Sequence, residues 1–242
     1  MIGGFFHSLQ SPVVAPEKQS NSVPGRRRFL LGAAAGATAL VLDHPALAQV
    51  IPASGHATYQ LVRHGDVIGH ETISFNQSGG MLTVTIEAHI RVTLAMVTIY
   101  ALDHHETETW QNGTFLSFSS TTNKNGTKFY AQGWRDNGQL MARGTRHPAT
   151  YVAPPNALPT SQWNHAMLSG PMLNTEDGRL MHPHVVDMGL VSLPTASGGT
   201  VTARHFNASG DLRFDTYFTP AWDWVGLSFH ADDGSLVTYQ KV

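Results

Sequence analysis

The chain has 242 residues, and residues 49–242 carry 11 Lys and Arg against 15 Asp and Glu. This acidic balance excludes the basic surface that nucleic-acid binding needs, so we expect no nucleic-acid partner. The absence of cysteine excludes disulfides, thiolate metal sites and iron–sulfur clusters, and no motif indicates a cofactor.

Residues 1–48 have the three-part pattern of a twin-arginine export signal. Arg26 and Arg27 end a long polar segment, and Phe29 and Leu30 begin an alanine-rich apolar run that ends at Leu42. The run is about 14 residues long, which is too short to span a bilayer, since spanning needs about 20. The pattern predicts export of the folded chain by the twin-arginine translocase.

A cleavage site follows the apolar run. Ala46 and Ala48 are small residues at the two positions that a signal peptidase reads, so Gln49 should begin the mature chain. The alternative is an uncleaved membrane anchor, which the short run and the polar segment Asp43–Pro45 disfavour. We therefore expect a periplasmic or secreted protein whose mature chain, residues 49–242, is a single domain without a transmembrane anchor.

The segment Leu82–Met96 decides the predicted fold class. Its even-numbered residues are all apolar, and the residues between them are polar except for Ala95. Such alternation predicts a β-strand with one buried face, with its even-numbered side chains inward. At about 3.3 Å per residue the strand would run near 50 Å, so it must twist and bend within a curved sheet.

Turn motifs recur at hairpin spacing along the chain. The motifs are His64-Gly65, Gly79-Gly80, Asn112-Gly113, Asn125-Gly126, Asn137-Gly138 and Asp233-Gly234. Each separates two segments of strand character. The sequence therefore predicts an all-β fold, a single antiparallel meander of roughly ten or more strands that forms a curved sheet, half-barrel or barrel.

One long segment interrupts this pattern. Ala153–Trp163 contains Pro154, Pro155 and Pro159, which exclude a central strand and favour an extended connection. Thr160 or Ser161 is then placed to cap one short helix over residues 162–168. We expect the segment to lie across the sheet and to connect two groups of strands.

Several residue groups along the mature chain match the pattern of one protein family. They are Tyr59-x-Leu61-x-Arg63, Gly65, Ile68-Gly69, the alternating strand, Tyr100-x-x-x-His104, Glu108-x-Trp110-x-x-Gly113, Asn123-x-x-Gly126, Pro154-x-x-Ala157-Leu158-Pro159-Thr160-Ser161-x-Trp163-Asn164, Leu173-Asn174-Thr175 and Ala231-Asp232-Asp233-Gly234-Ser235.

With these groups the chain resembles a family of twin-arginine-exported, β-rich bacterial proteins that is classified as a domain of unknown function. The resemblance covers nearly all of the mature chain and implies no activity. In architecture alone, the chain is more distantly similar to the half-barrels of periplasmic lipoprotein carriers, which bind apolar chains against a curved sheet.

The predicted strand Asp103–Trp110 is polar on both faces. One face carries His104, Glu106, Glu108 and Trp110, whereas His105 lies on the other. Because a central strand normally buries one apolar face, this composition suggests that one side lines a wet concavity, where histidines and carboxylates can do acid–base work or hold a ligand. The alternative is an edge strand that charge keeps soluble.

We expect a partly polar cleft between Asp103–Trp110 and Pro154–Leu168, with Trp163 as its apolar wall. The alternative is that Trp163 plugs an open end of the barrel. The predicted ligand-binding residues are His104, His105, Glu106, Glu108, Trp110, Trp163 and Asn164.

His182 and His184 form a weaker candidate site for a metal ion. Two imidazoles at positions i and i+2 lie on one face of an extended backbone, and Asp187 is a candidate third ligand. Pro183 implies an edge or a loop, and surface histidines without metal are the alternative.

These features leave three functional hypotheses. The first is a module that binds an apolar or glycan-like ligand of the cell envelope. The second is a His/Glu-dependent enzyme that acts on an envelope polysaccharide or ester, with His104 or His105 and Glu106 or Glu108 as the acid–base pair. The third is a structural envelope protein. No nucleophile motif or phosphate-binding loop distinguishes them.

Overall fold

The computed structural model describes residues 50–242. The predicted export signal, with Arg26, Arg27, Phe29, Leu30, Ala46 and Ala48, lies outside the described residues, as does Gln49. Among residues 50–242, no helix is long and apolar enough to cross a membrane.

The described chain consists of 16 strands and one short 3₁₀ helix. The first eight strands are β1 His56–Arg63, β2 Asp66–Ser78, β3 Met81–Leu94, β4 Val97–Gln111, β5 Thr114–Lys124, β6 Thr127–Asp136, β7 Gln139–Gly144 and β8 Tyr151–Ala153. The other elements are β9 Leu158–Pro159, the 3₁₀ helix His165–Ser169, β10 Met172–Leu173, β11 Leu180–Met181, β12 His184–Pro194, β13 Thr200–Ser209, β14 Phe214–Phe218, β15 Trp224–His230 and β16 Leu236–Lys241.

Thirteen of these strands form one sheet in the order β12-β13-β14-β15-β16-β1-β2-β3-β4-β5-β6-β7-β8. All neighbours in it are antiparallel, and β16 pairs with β1, so the two ends of the described chain meet in the middle of the sheet. A second, three-stranded sheet has the order β11-β10-β9. The predicted all-β antiparallel fold is confirmed.

Hairpin turns join most neighbouring strands of the large sheet. At Asn112-Gly113, Asn125-Gly126 and Asn137-Gly138 both central residues have positive φ, as a type I′ turn requires. Asparagine and glycine tolerate this left-handed backbone better than other residues, which is why these turns could be predicted from the sequence.

The prediction for Leu82–Met96 is wrong at its C-terminal end. Strand β3 ends at Leu94, and only the even-numbered residues up to Ile90 are buried, whereas Leu94 and Met96 are exposed. The chain reverses at Ala95 and Met96, both of which have positive φ. The alternation of apolar and polar residues continues beyond the last buried position of β3. The turn at Ala95-Met96 contains no Asn, Asp or Gly, so nothing in the sequence indicated a hairpin there.

Residues 154–183, which we term the connector, fill the inner side of the sheet. Of residues 157–178, only Ser169 is exposed. Ala131 and Gly133 on β6, and Ala142 and Gly144 on β7, are small inner residues that leave room for this segment. A Cβ at Gly144 would overlap the backbone of Asp177 and Gly178. The connector therefore packs inside the curved sheet as part of the core.

The predicted helix is displaced and shorter than expected. It is a 3₁₀ helix over His165–Ser169, and neither Thr160 nor Ser161 caps it. Asn164 is the N-cap, and its Oδ1 accepts a hydrogen bond of 3.0 Å from the backbone N of Ala166.

Candidate functional site: two faces of strands β3 to β7

The inner face of β4 carries a buried polar cluster. His104, Glu106 and Glu108 are each at most 2% exposed, and β4 lies in the middle of the sheet between β3 and β5. The strand is therefore not an edge strand, and its inner face does not line a wet concavity. Alternation placed the polar face inward, where the connector covers it.

Two indole groups converge on Glu108. The Nε1 of Trp110 donates to Glu108 Oε2 over 2.7 Å, and the Nε1 of Trp163 donates to the same oxygen over 3.1 Å. His104 contacts the other carboxyl of the cluster: its Nε2 lies 3.2 Å from Glu106 Oε2. Its Nδ1 lies 2.7 Å from Thr122 Oγ1 on β5. These contacts orient the polar groups without exposing them.

Burial controls the charge of this cluster. Glu71 on β2 is also buried and interacts electrostatically with Glu106, so we count it in the cluster. Desolvation raises the pKa of Glu71 to about 7, and it also raises the pKa of Glu106 and Glu108. The same desolvation lowers the pKa of His104 to about 3. One oxygen each of Glu71, Glu106 and Glu108 has no hydrogen-bond partner in the protein. The cluster is therefore stabilised in its uncharged form.

Trp163 joins the connector to the inner face of the sheet. Its ring lies 5.4 Å, centroid to centroid, from both Phe75 and Trp110, in edge-to-face geometry. Trp163 is 3% exposed, and Asn164 beside it is also buried. The two segments form a packed contact here, whereas we expected a partly polar cleft between them. Ligand binding by these inner residues stays a prediction.

The outer face of the same strands bears two adjacent grooves. One has a volume of about 530 Å³ and includes His105 of the predicted site, together with Glu87, Asp103, Thr121 and Tyr130 in its lining. The other has a volume of about 370 Å³, and its lining includes Thr107, Ser119, Gln132, Trp134 and Arg143.

The two grooves are continuous in strand register. His105 pairs with Thr121, which pairs with Tyr130, and the next outward row is Thr107, Ser119 and Gln132. We term this combined surface the outer groove. It runs along β4, β5 and β6 from Asp103 to Thr109, a distance of roughly 20 Å.

Contacts within the outer groove are polar at both ends. At one end His89 Nδ1 lies 2.9 Å from Asp103 Oδ1, and His105 Nδ1 lies 3.4 Å from Glu87 Oε1. At the other end the Arg143 guanidinium stands 5.6 Å from the centroid of the Trp134 ring, and its Nε donates to Gln132 Oε1 over 2.8 Å.

The candidate metal ligands do not form a cluster. Within residues 50–242 no group of three or more His, Asp or Glu residues is placed to hold a metal ion. Asp187 instead pairs with Arg204, at 3.0 Å between Oδ2 and Nε. His184 begins strand β12 at the edge of the sheet and is exposed, as is His182. Metal binding by His182 and His184 stays a prediction without its third ligand.

Several residues of the outer groove were not singled out from the sequence. They are Thr107, Ser119, Thr121, Tyr130, Gln132 and Arg143. The available signal was the odd-numbered face of β4 and the matching outward positions of β5 and β6, which repeat hydroxyl and amide residues from strand to strand. Within a single strand, ionisable residues such as Glu106 and Glu108 are the stronger signal of a site, and these two lie on the inner face.

The fold and the two faces define a β-barrel-like protein with a filled interior and a polar outer groove. Residues 59–242 match the family described as Domain of unknown function (DUF6134), and the chain belongs to this family. None of the curated proteins compared with the chain matches it.

A solved structure shows the same fold. It is titled "Crystal Structure of Beta-barrel-like Protein of Domain of Unknown Function DUF1849 from Brucella abortus". The similarity has a TM-score of 0.55 and 13% sequence identity, and it covers 77% of this chain and 94% of that chain. At this identity the likeness concerns the fold alone.

Proposed function

We propose that this protein is an exported envelope protein that binds an extended glycan in its outer groove. The observation that carries the proposal is that two grooves lie end to end along the same strands on one face of the sheet. Hydroxyl and amide side chains line them between two partly exposed aromatic rings, those of Tyr130 and Trp134. Tyr130 and Trp134 lie four residues apart on β6, roughly 13 Å along the strand.

The chemistry of the groove suits a sugar chain. The hydroxyl groups of Thr107, Ser119 and Thr121 can each donate and accept hydrogen bonds, as sugar hydroxyls do. The faces of the Tyr130 and Trp134 rings carry negative charge density, which attracts the slightly positive C–H groups of a pyranose ring. A long, open groove accommodates several sugar units in line better than one compact ligand.

The inner face supports an apolar ligand less well. In a lipoprotein-carrier half-barrel the curved sheet itself receives an apolar chain, whereas here the connector covers that surface with Trp163, Met167 and Leu173. A ligand would have to displace this packed segment before it could bind.

Catalysis is also less well supported than binding. A glycosidase needs a carboxylic acid with raised pKa within reach of the substrate. The carboxyls whose pKa burial raises, such as Glu106 and Glu108, are fully enclosed. In the groove, the hydrogen bond from His89 lowers the pKa of Asp103. We therefore propose a binding protein.

The proposal is tested by titrating the protein with chitohexaose, cellohexaose and maltohexaose in a calorimeter. We expect at least one of them to bind, and Trp134→Ala to weaken that binding roughly tenfold or more. Trp134→Phe is the matched control, because it keeps a ring face and should retain most of the affinity. Absence of binding to all three sugars, or unchanged affinity in Trp134→Ala, would overturn the proposal.

Export by the twin-arginine route is the second part of the proposal. It is supported by the arrangement of Arg26 and Arg27 before the apolar run. Replacing both with Lys should leave the precursor in the cytoplasm, and the exported wild-type chain should begin at Gln49 by N-terminal sequencing. Normal periplasmic recovery of the double variant would show that this assignment is wrong.

A further inference from the structure

The hairpin between β3 and β4 projects beyond the sheet. Strand β2 pairs with β3 only as far as Ile90, and β5 pairs with β4 only from Leu102 onward. Residues 92–100, which we term the finger, form a two-stranded hairpin past these neighbours. The finger extends four residues beyond Ile90, roughly 13 Å.

The finger is apolar and exposed. Met96 at its tip is 96% exposed, and Leu94, Val97 and Ile99 are between 54% and 66% exposed. None of residues 92–100 is charged. At the base of the finger, Arg91 donates two hydrogen bonds to Asp103, of 2.7 and 2.8 Å. The charges nearest to the finger are therefore paired with each other, and the finger itself is uncharged.

Apolar side chains occupy both faces of the finger. Leu94 and Val97 are directly paired and so share one face. A register shift between Val92 and Thr93 leaves Ile99 without a directly paired residue, and Ile99 lies on the face opposite Tyr100, together with the Thr93–Thr98 pair. A docking site for a folded partner normally presents one apolar face, whereas an uncharged hairpin with apolar side chains on both faces suits immersion near acyl chains.

The turn at the tip departs from the other hairpins of the protein. The turns at residues 112–113, 125–126 and 137–138 place Asn and Gly at positive φ. Here Ala95 and Met96 adopt positive φ values of 47° and 66°. A positive φ costs conformational free energy in residues that have a Cβ, so an Asn-Gly pair would give a more stable turn at this position. The presence of Ala95 and Met96 at the tip is therefore not explained by the stability of the turn.

We propose that the finger inserts into the interfacial region of a lipid bilayer and holds the protein at a membrane surface. Its length past the sheet is comparable to the depth of about 5–10 Å that interfacial apolar elements occupy. This proposal is independent of the glycan-binding proposal, because the finger and the outer groove share no residue.

The first test measures sedimentation with vesicles of phosphatidylethanolamine containing a minority of phosphatidylglycerol. The variant Ala95→Asn/Met96→Gly installs the same turn as the other hairpins, so it should fold at least as well as the wild type. We expect its partition coefficient to be roughly 10- to 100-fold lower than that of the wild type. Leu190→Ser is the matched control, since Leu190 is an exposed apolar residue on the edge strand β12, with the same exposed fraction as Leu94, and its replacement should not affect partition.

The second test uses single cysteines, which are the sole labelling sites because the chain contains no cysteine. A bimane dye on Met96→Cys should shift its emission to the blue when vesicles are added, and the same dye on Leu190→Cys should not. Equal partition of the turn variant and the wild type, or an unchanged bimane spectrum at position 96, would overturn the proposal. Concentration-dependent dimers that the turn variant abolishes would overturn it too, because the finger would then contact a second copy.

Discussion

The two faces of strand β4 place similar residues in different environments. On the inner face Glu106 and Glu108 are desolvated, and indole groups and the connector surround them. One residue away in sequence, His105 and Thr107 face the outer groove. The sequence shows a run of similar polar residues, but the fold separates them into two environments.

This difference shows that burial, and not residue type, decides the role of a polar side chain here. A buried carboxyl group in an apolar interior loses its charge and becomes a packing and hydrogen-bonding group. An exposed polar residue keeps its hydration and can exchange water for a ligand. We therefore expect changes on the inner face to affect stability and changes on the outer face to affect binding.

The largest effect is expected on strand β3, where a charge can be introduced on either face. Ile90→Asp places an unpaired charge in the core and should lower the free energy of unfolding by more than about 4 kcal/mol, or prevent folding. Thr85→Asp, on the outer face, should change it by no more than about 1 kcal/mol. Urea denaturation of both variants measures the difference, and equal losses would contradict the assigned faces.

Two tryptophans extend the comparison to aromatic residues. Trp163→Ala removes a buried ring and one of two N–H donors to Glu108, so it should cost about 3–5 kcal/mol of stability. Trp134→Ala removes a partly exposed ring that contacts Arg143, so it should cost about 1 kcal/mol or less. Thermal melting of both variants tests this. A small loss in Trp163→Ala would show that the connector contributes little to the core.

The charge state of the cluster makes stability depend on pH. Burial raises the pKa of Glu71 from 4.5 to about 7, so its contribution is fully present below pH 4.5 and is lost as the pH rises through 7. For this group the loss corresponds to roughly 3 kcal/mol. Burial also raises the pKa of Glu106 and Glu108, so their contributions are lost in the same direction.

His104 acts in the opposite direction, but at lower pH. Its pKa is lowered from 6.5 to about 3, so its contribution is present above pH 6.5 and is lost as the pH falls toward 3. Above pH 6.5, only the carboxyls of the cluster change the stability with pH. Because their contribution is lost as they ionise, the melting temperature should fall as the pH rises. Glu71→Gln should weaken this dependence by removing one of the three carboxyls, whereas Glu87→Gln, on the outer face, should leave it unchanged. A melting temperature that rises with pH in this range would contradict the uncharged cluster.

The sequence predicted the sheet well because its signals were local. Alternation in Leu82–Ile90 and the Asn-Gly turns depend on neighbouring residues alone, and both appear in the structure as predicted. The end of β3 was missed because no strong turn residue stands at Ala95-Met96. The alternation of apolar and polar residues in β3 continues beyond the point where β2 stops pairing with it. The alternation alone therefore does not show where the core ends.

The environment of the candidate site could not be predicted in the same way. Whether His104 and Glu106 face solvent depends on where the connector packs, and that contact joins residues far apart in the chain. A partial signal was present in the small inner residues of β6 and β7, such as Ala131, Gly133 and Gly144, which leave room for another segment. Single-strand patterns do not reveal that complementarity.

The contrast between the faces can be measured in one experiment on the five tryptophans of the chain. Protein labelled with 5-fluorotryptophan should give a separate ¹⁹F resonance for each of them, assigned by single substitutions. When the hexasaccharide that binds is added, we expect the Trp134 resonance to shift while those of the buried Trp110 and Trp163 stay in place. Shifts at Trp110 and Trp163 with Trp134 unchanged would place the ligand inside the sheet and contradict the account.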